Sequence, residues 1–310
     1  MAFKVLFAGT PDLAVETLNA LMETDHEVVG VLTREDAPQG RKRVLTPSAV
    51  AQRGEELELP VIKANQWSKE VAEEVKKLQA DIAAVVAFGA ILPPSALDLL
   101  PHGWINLHFS SLPQWRGAAP VQRALMAGES EIFSNVFRIE RGLDTGPVFR
   151  EESTGVGPTD TAGEILLRLA RSGGSLLNEA FADIEAGGEG IPQSGDPTHA
   201  AKLSLDDGRL DWNLPKADIL ARYRGVTPEP GAWCTFNDAR FKVGELALSD
   251  ATPAGPVGTV HLVNKKPVVT VSDGTVELIK VQPAGKKMMN AADWARGLGS
   301  AVAEQKVVLS

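Results

Sequence analysis

Lys4 to Met22 reads KVLFAGTPDLAVETLNALM. Lys4 to Ala8 is a short apolar run, Gly9-Thr10-Pro11 breaks it, and a helical spacing of apolar residues follows through Met22. Further apolar runs lie at Val28 to Leu32, Ile82 to Phe88 and Trp104 to Phe109, separated by helical stretches such as Ser68 to Leu78. Strands alternating with helices predict an α/β fold, a Rossmann-like, mainly parallel sheet with helices on both faces. The loop GTPDLA is not GxGxxG, and no acidic residue stands at the spacing a nicotinamide ribose needs, so a dinucleotide site is not expected.

With 310 residues and 44% hydrophobic content, the chain is long for one domain, and two are expected. The longest apolar runs, such as IAAVVAFGAIL from Ile82 to Leu92, are too short to span a bilayer. No basic and apolar leader precedes the first strand, which points to the cytoplasm. The single cysteine, Cys234, excludes internal disulfides and reads as a small half-buried hydrophobe beside Trp233. Five scattered histidines and one cysteine offer no metal-ligand spacing, so no metal is expected.

The net charge of -9 argues at first against a polyanionic partner. Its distribution changes that reading. Residues 206 to 310 carry 13 Lys and Arg against 12 Asp and Glu, whereas the remaining 205 residues carry 18 against 28. The acidity belongs to the N-terminal part, and a nearly neutral C-terminal part can still present a basic face.

The pattern continues with strands at Phe133 to Arg138 and Pro147 to Glu152, which flank the loop holding Asp144. A capping box follows at Thr161 to Glu164, and Ile165, Leu166, Leu169, Leu176, Leu177 and Ala180 share one helical face. Gly187 to His199, rich in Gly, Pro, Ser and Gln, reads as a linker running over the surface. We therefore divide the chain into domains at 1 to 186 and 206 to 310, joined by 187 to 205. Asp206 to Tyr223 should contribute a helix. From Trp233, five β-rich runs, WCTF, RFKVGELAL, GTVHLV, PVVTVSD and TVELIKV, alternate with turn signals and predict a small barrel.

The residues best suited to chemistry lie between Asn106 and Asp144. If Trp104 to Phe109 is a strand, its period of two puts Asn106 and His108 on one face and Ile105 and Leu107 on the other. Asp144, in the turn-forming GLDTGP, can return to the imidazole. An amide donor, an imidazole and a carboxylate can stabilise an oxyanion and move protons. Asp144 should hold His108 protonated longer, because a nearby opposite charge favours the cation. The plainer reading makes each a hydrogen-bonder of the core or a turn-closer.

His108 to Ala124 (HFSSLPQWRGAAPVQRA), followed by GLDTGPV, resembles the signature of the enzymes that transfer a formyl group from 10-formyltetrahydrofolate. The similarity extends to KVLFAGTPDLAVETLNAL, to GRKRVLTPSAV and to VQPAGKKMMNAADWARG, nearly the whole chain. It implies that Asn106, His108 and Asp144 are catalytic and that residues 206 to 310 form an OB-like barrel contacting tRNA. It implies that Ser110, Ser111, Leu112 and Pro113 contact the folate, with Phe88, Gly89, Ile91 and Leu92 as a second wall. Ser111 departs from the Leu usual in that loop, a change worth about 1 to 3 kcal/mol of packing if it faced the ligand. Arg116 and Gly117 should shape the turn into the next helix.

The acceptor implied is methionyl initiator tRNA, met by the basic loop Arg41, Lys42 and Arg43 with Arg34 nearby, and by Lys286 and Lys287. A monomer is implied as well. Two other functions remain open: a sugar-nucleotide N-formyltransferase sharing the folate donor, and an RNA-binding module on a non-catalytic scaffold. The first predicts few phosphate contacts and the second broken catalytic positions, whereas Asn106, His108 and Asp144 are all present.

Overall fold

The computed structural model describes residues 2–40 and 42–310. Two compact units are present: the residues through Pro120 with Glu131–Gly155 and Leu166–Ala200, and Val121–Ser130 with Val156–Ile165 and Ala201–Ser310.

In chain order, the part before the tail contains β1 (Lys4–Gly9), α1 (Asp12–Met22), β2 (Glu27–Thr33), the hairpin β3 (Ala37–Gln39) and β4 (Val44–Thr46), α2 (Ala49–Glu56), β5 (Val61–Lys63) and α3 (Lys69–Lys77). Then come β6 (Ile82–Val86), α4 (Pro94–Leu97), β7 (Trp104–His108), β8 (Arg116–Gly117), α5 (Pro120–Met126), β9 (Glu131–Arg138), β10 (Val148–Gly155), α6 (Ala162–Glu185) and β11 (His199–Ala200). Seven strands form one sheet in the order β10-β9-β7-β6-β1-β2-β5. From β5 to β7 neighbouring strands are parallel; β9 and β10 add an antiparallel edge. This is the mainly parallel α/β sheet that the apolar runs predict.

Both faces are covered. Leu6, Ala8, Leu32, Ala83, Val85 and Trp104 pack with Val71 and Val75 of α3 and Ala96 of α4, and Trp104 Nε1 donates to the Ala96 carbonyl at 2.8 Å. On the opposite face α6 comes so close to β7 that a Cβ at Gly173 would lie 2.2 Å from Leu107 Cδ2. Thr17 Oγ1 of α1 donates to the Ala170 carbonyl of α6 at 2.8 Å. Strand β6 is buried along its whole length, as a parallel strand covered on both sides must be. It stops at Val86, short of the expected Phe88, because Ala87 turns to φ 48°.

Chain order reverses between β1 and β6: β2 and β5 extend one way, β6 and β7 the other. Loops leaving the carboxyl ends diverge at such a reversal and open a crevice.

Gly187 to His199, expected as a surface linker, is tied to the first unit. Ile191 exchanges both backbone hydrogen bonds with Val148, and β11 pairs in parallel with β8. Composition marks this stretch as irregular; its backbone groups nevertheless find partners.

The tail holds α7 (Lys216–Gly225), β12 (Ala232–Phe236), β13 (Ala239–Ser249), β14 (Val260–Val263), β15 (Lys266–Val271), β16 (Gly274–Gln282), β17 (Met289–Asn290), α8 (Ala291–Gly297) and α9 (Ser300–Ala303). Only Lys216 onward of the expected Asp206–Tyr223 helix is α-helical, since Pro215 sets its start. Strands β12-β13-β16-β15-β14 form an antiparallel sheet, with β17 on β16. Its two ends are joined by the last residues. Val260 N–H donates to Val307 O at 2.8 Å, and Ser310 N–H donates to Thr235 O at 3.0 Å, which closes the barrel. Cys234 is fully buried in this core rather than half-buried, and burial pushes its thiol up to about 12. Among the described residues, no helix is long and apolar enough to cross a membrane.

Candidate active site

Strand β7 sets the geometry. Trp104 faces the α3 and α4 side, so the period of two carries Asn106 and His108 to that same face, while Leu107 packs under α6. At the carboxyl ends of β6 and β7 the two side chains line a cavity of about 520 Å³ together with Asp144 and the loop Ala87 to Leu92. The three polar residues read from the sequence therefore meet in one place. Phe88, Gly89, Ile91 and Leu92 are there too.

Asn106 is half-buried, and its amide makes no hydrogen bond among the described residues. It is free to donate to a ligand. His108 is buried; its Nε2 lies 3.1 Å from the Trp115 carbonyl, and its ring meets Phe137 edge to face at 6.2 Å. A carbonyl only accepts, so Nε2 carries the proton and Nδ1 of the neutral ring is bare. Burial pulls the imidazole below its ordinary 6.5, against the smaller opposing pulls of the Asp144 charge and the Trp115 carbonyl. This corrects the expectation of a longer-protonated His108: desolvation outweighs the carboxylate.

Asp144 occupies a left-handed position at φ 51°, and its Oδ2 accepts the Gly117 N–H at 2.7 Å. Two residues on, a Cβ at Gly146 would sit 1.7 Å from the Arg138 carbonyl, so only glycine lets this loop close. Gln193 completes the support. Its Nε2 donates to the carbonyls of Asp144 and Gly146, each at 2.8 Å, while its Oε1 accepts from Arg116 Nη2 at 2.6 Å. Neither Gln193 nor the Gly117 N–H is announced by a local motif.

The apolar wall comes from the loop after β6. Ala87 and Gly89 both have positive φ, 48° and 78°, and Thr10 Oγ1 holds the Phe88 carbonyl at 2.8 Å. A left-handed alanine costs about 1 to 2 kcal/mol, which this loop bears. Ile91 is 90% exposed, and Leu143 across the cavity is 59% exposed.

Ser110 to Pro113 do not line this cavity. Ser110 Oγ donates to the Gln114 carbonyl at 2.6 Å, Leu112 and Pro113 are buried, and Ser111 Oγ donates to Glu151 Oε2 at 2.9 Å. Asn135 Nδ2 donates to the same carboxylate oxygen at 2.6 Å. The turn folds both of its hydroxyls back onto the protein. A leucine at 111 would have no bond to give Glu151.

Lys42 and Arg43 sit at the tip of the β3–β4 hairpin, followed by Val44 and Leu45, which are 60% and 66% exposed. Arg41 lies outside the described residues. Lys286 and Lys287 are exposed in the turn between β16 and β17. Arg34, which the sequence places near this basic loop, is bonded to Asn65 and to the carbonyl of Gly89.

The chain matches the formyl transferase family over residues 1–181 and the C-terminal domain of formyl transferases over residues 202–299. It is 53% identical over 295 residues to the methionyl-tRNA formyltransferase of Arthrobacter sp. (strain FB24), covering 95% of this chain and 96% of that one. Among solved structures, methionyl-tRNA formyltransferase from Clostridium thermocellum has a TM-score of 0.57 at 14% identity, over 88% of this chain and 100% of that one. An N-formyltransferase from Helicobacter canadensis, in complex with folinic acid and dTDP-3-aminofucose, has a TM-score of 0.64 at 17% identity, over 89% and 98%. The two structures share the fold; the sequence matches decide kinship, and the chain belongs to the formyl transferase family.

Proposed function

We propose that this chain transfers the formyl group of 10-formyltetrahydrofolate to the α-amino group of methionyl initiator tRNA, for translation initiation. One observation carries the reading: a single cavity joins the polar set Asn106, His108 and Asp144 to a wall in which Ile91 is 90% exposed. Apolar side chains left in water gain roughly 25 cal/mol per Å² when covered, and the flat rings of a folate suit that wall. The acceptor is supported by the relative from Arthrobacter, whose name specifies methionyl-tRNA.

On this reading the methionyl amine attacks the formyl carbon. Asn106 donates its amide N–H to the oxyanion, and the neutral His108 takes up the amine proton at Nδ1. The C–N10 bond then breaks, a proton goes to N10, and tetrahydrofolate leaves. Asp144 stabilises the imidazolium formed in between. Lys42 and Arg43, with Arg41, and separately Lys286 and Lys287, meet tRNA phosphates. We assign residues 1–186 to catalysis and 206–310 to tRNA contact, in a monomeric cytoplasmic enzyme.

The test is to incubate the protein with 10-formyltetrahydrofolate and either methionyl initiator tRNA or an aminosugar nucleotide. Formylmethionyl-tRNA is the expected product. Formylation of the aminosugar alone would replace this reading with its rival.

A further inference from the structure

Arg34 directly follows β2, at the carboxyl edge of the sheet. Its Nε donates to Asn65 Oδ1 at 2.7 Å, and its Nη1 donates to the Gly89 carbonyl. Asn65 is held in turn, donating its Nδ2 to Glu35 at 2.8 Å. The guanidinium therefore bridges the segment after β5 to the loop after β6.

That loop has unusual need of support. Two of its residues, Ala87 and Gly89, are left-handed, and two successive carbonyls are gripped from other strand ends: Phe88 by Thr10 and Gly89 by Arg34. Everything from Ala87 to Leu92 lines the cavity. A change in the Gly89 peptide would shift Phe88 and Ile91 together. Arginine suits the task because its planar fork donates in two fixed directions, whereas a lysine ammonium reaches one acceptor well.

We propose that Arg34 is a positioning residue of the donor pocket: braced by Asn65, it holds the Gly89 carbonyl and so keeps the Ala87–Leu92 wall in the shape a reduced folate occupies. The identity of the ligand rests on the function proposed above; the clamp itself rests on the hydrogen bonds. Arg34 touches neither reacting atom. Its effect should appear in donor affinity, not in the chemical step and not in tRNA binding.

The experiment titrates 5-formyltetrahydrofolate, an unreactive donor analogue, into the full-length wild type, Arg34→Ala and Arg34→Lys by calorimetry, and measures steady-state kinetics on the same proteins. Arg34→Ala should weaken analogue binding and raise the donor KM about tenfold, the size of one lost charge-assisted hydrogen bond. Its kcat at saturating donor and its KM for methionyl-tRNA should stay near wild type. Arg34→Lys should fall between the two, and free guanidinium should restore affinity to Arg34→Ala alone. Gly89→Ala, strained at φ 78°, should reproduce the donor-KM effect. Unchanged analogue affinity in Arg34→Ala overturns the clamp. So does a raised tRNA KM with donor KM unaltered, which would return Arg34 to the nucleic-acid side. A wild type that does not bind the analogue overturns the functional reading, and the donor-pocket role with it.

Discussion

The carboxylate of Asp144 accepts the backbone N–H of Gly117 at 2.7 Å, across 27 residues of chain. The charge beside His108 is therefore aimed by the turn that leads into α5. An asparagine at 144 can accept the same N–H through its oxygen but carries no charge. Asp144→Asn should keep the fold and the donor KM while kcat falls on the order of 10² or more, the usual scale for a lost acid-base partner. Thermal melting and single-turnover rates check both halves; wild-type turnover would remove Asp144 from the chemistry.

His108 makes stability depend on acid. Its folded pKa lies below 6.5 through burial, as does that of His26. Well above pH 6.5 both rings are neutral folded or unfolded, so they add no pH dependence. As pH falls below 6.5 the unfolded chain takes up protons first, and the buried His108 costs up to about 1.4 kcal/mol per pH unit until its folded pKa is reached, the more exposed His26 adding less. Urea midpoints at pH 7.5 and 5.5 should therefore differ less for His108→Gln than for the wild type.

Gln193 supports the Asp144 loop from a stretch with no regular structure. Losing its two donated bonds should let the loop drift while the core stands. For Gln193→Ala we expect about a tenfold fall in kcat, near the net value of one hydrogen bond, with an unchanged melting temperature. Steady-state kinetics on both substrates provides the measurement.

Gly173 is where α6 touches β7. A methyl there would lie 2.2 Å from Leu107 Cδ2, and Leu107 is buried under it. Overpacking costs about 1 to 3 kcal/mol, and the gain in helix propensity over glycine returns at most about 1. Gly173→Ala should thus lower the urea midpoint. An unaltered midpoint would mean that α6 slides freely on the sheet.

The hairpin tip should act on one substrate only. Lys42→Glu with Arg43→Glu should raise the KM for methionyl-tRNA and flatten its dependence on salt, because fewer counterions are released. The donor KM should not move. Kinetics at two ionic strengths tests this.

The sheet and the polar face of β7 were legible because both depend on local spacing. Apolar runs mark buried parallel strands, and a period of two needs only one strand to place Asn106 beside His108. The barrel strands from Trp233 onward were legible for the same reason. Other features join distant positions. Ser111 donates its hydroxyl to Glu151, forty residues on, a partner that no local spacing names. Gln193 sits in a stretch whose composition signals irregular backbone, which says nothing about whether that backbone is bound. The charge state of His108 turned on the depth of its burial, and spacing to Asp144 carries no depth.

Val307 to Ser310 close the barrel, and this places its completion in time. Translation at about 5 to 20 residues per second delivers chain from one end only, and domains fold as they emerge. The parallel sheet has all its strands once Gly155 is out, and α6 and β11 follow soon after. No such early finish is open to β12 and β14, whose outer edges wait for Val307 to Ser310. Until Ser310 clears the ribosome, both edges are bare strands able to pair with another nascent chain. Chaperone dependence of newly made protein should therefore concentrate in the interval before Val307 to Ser310 emerge.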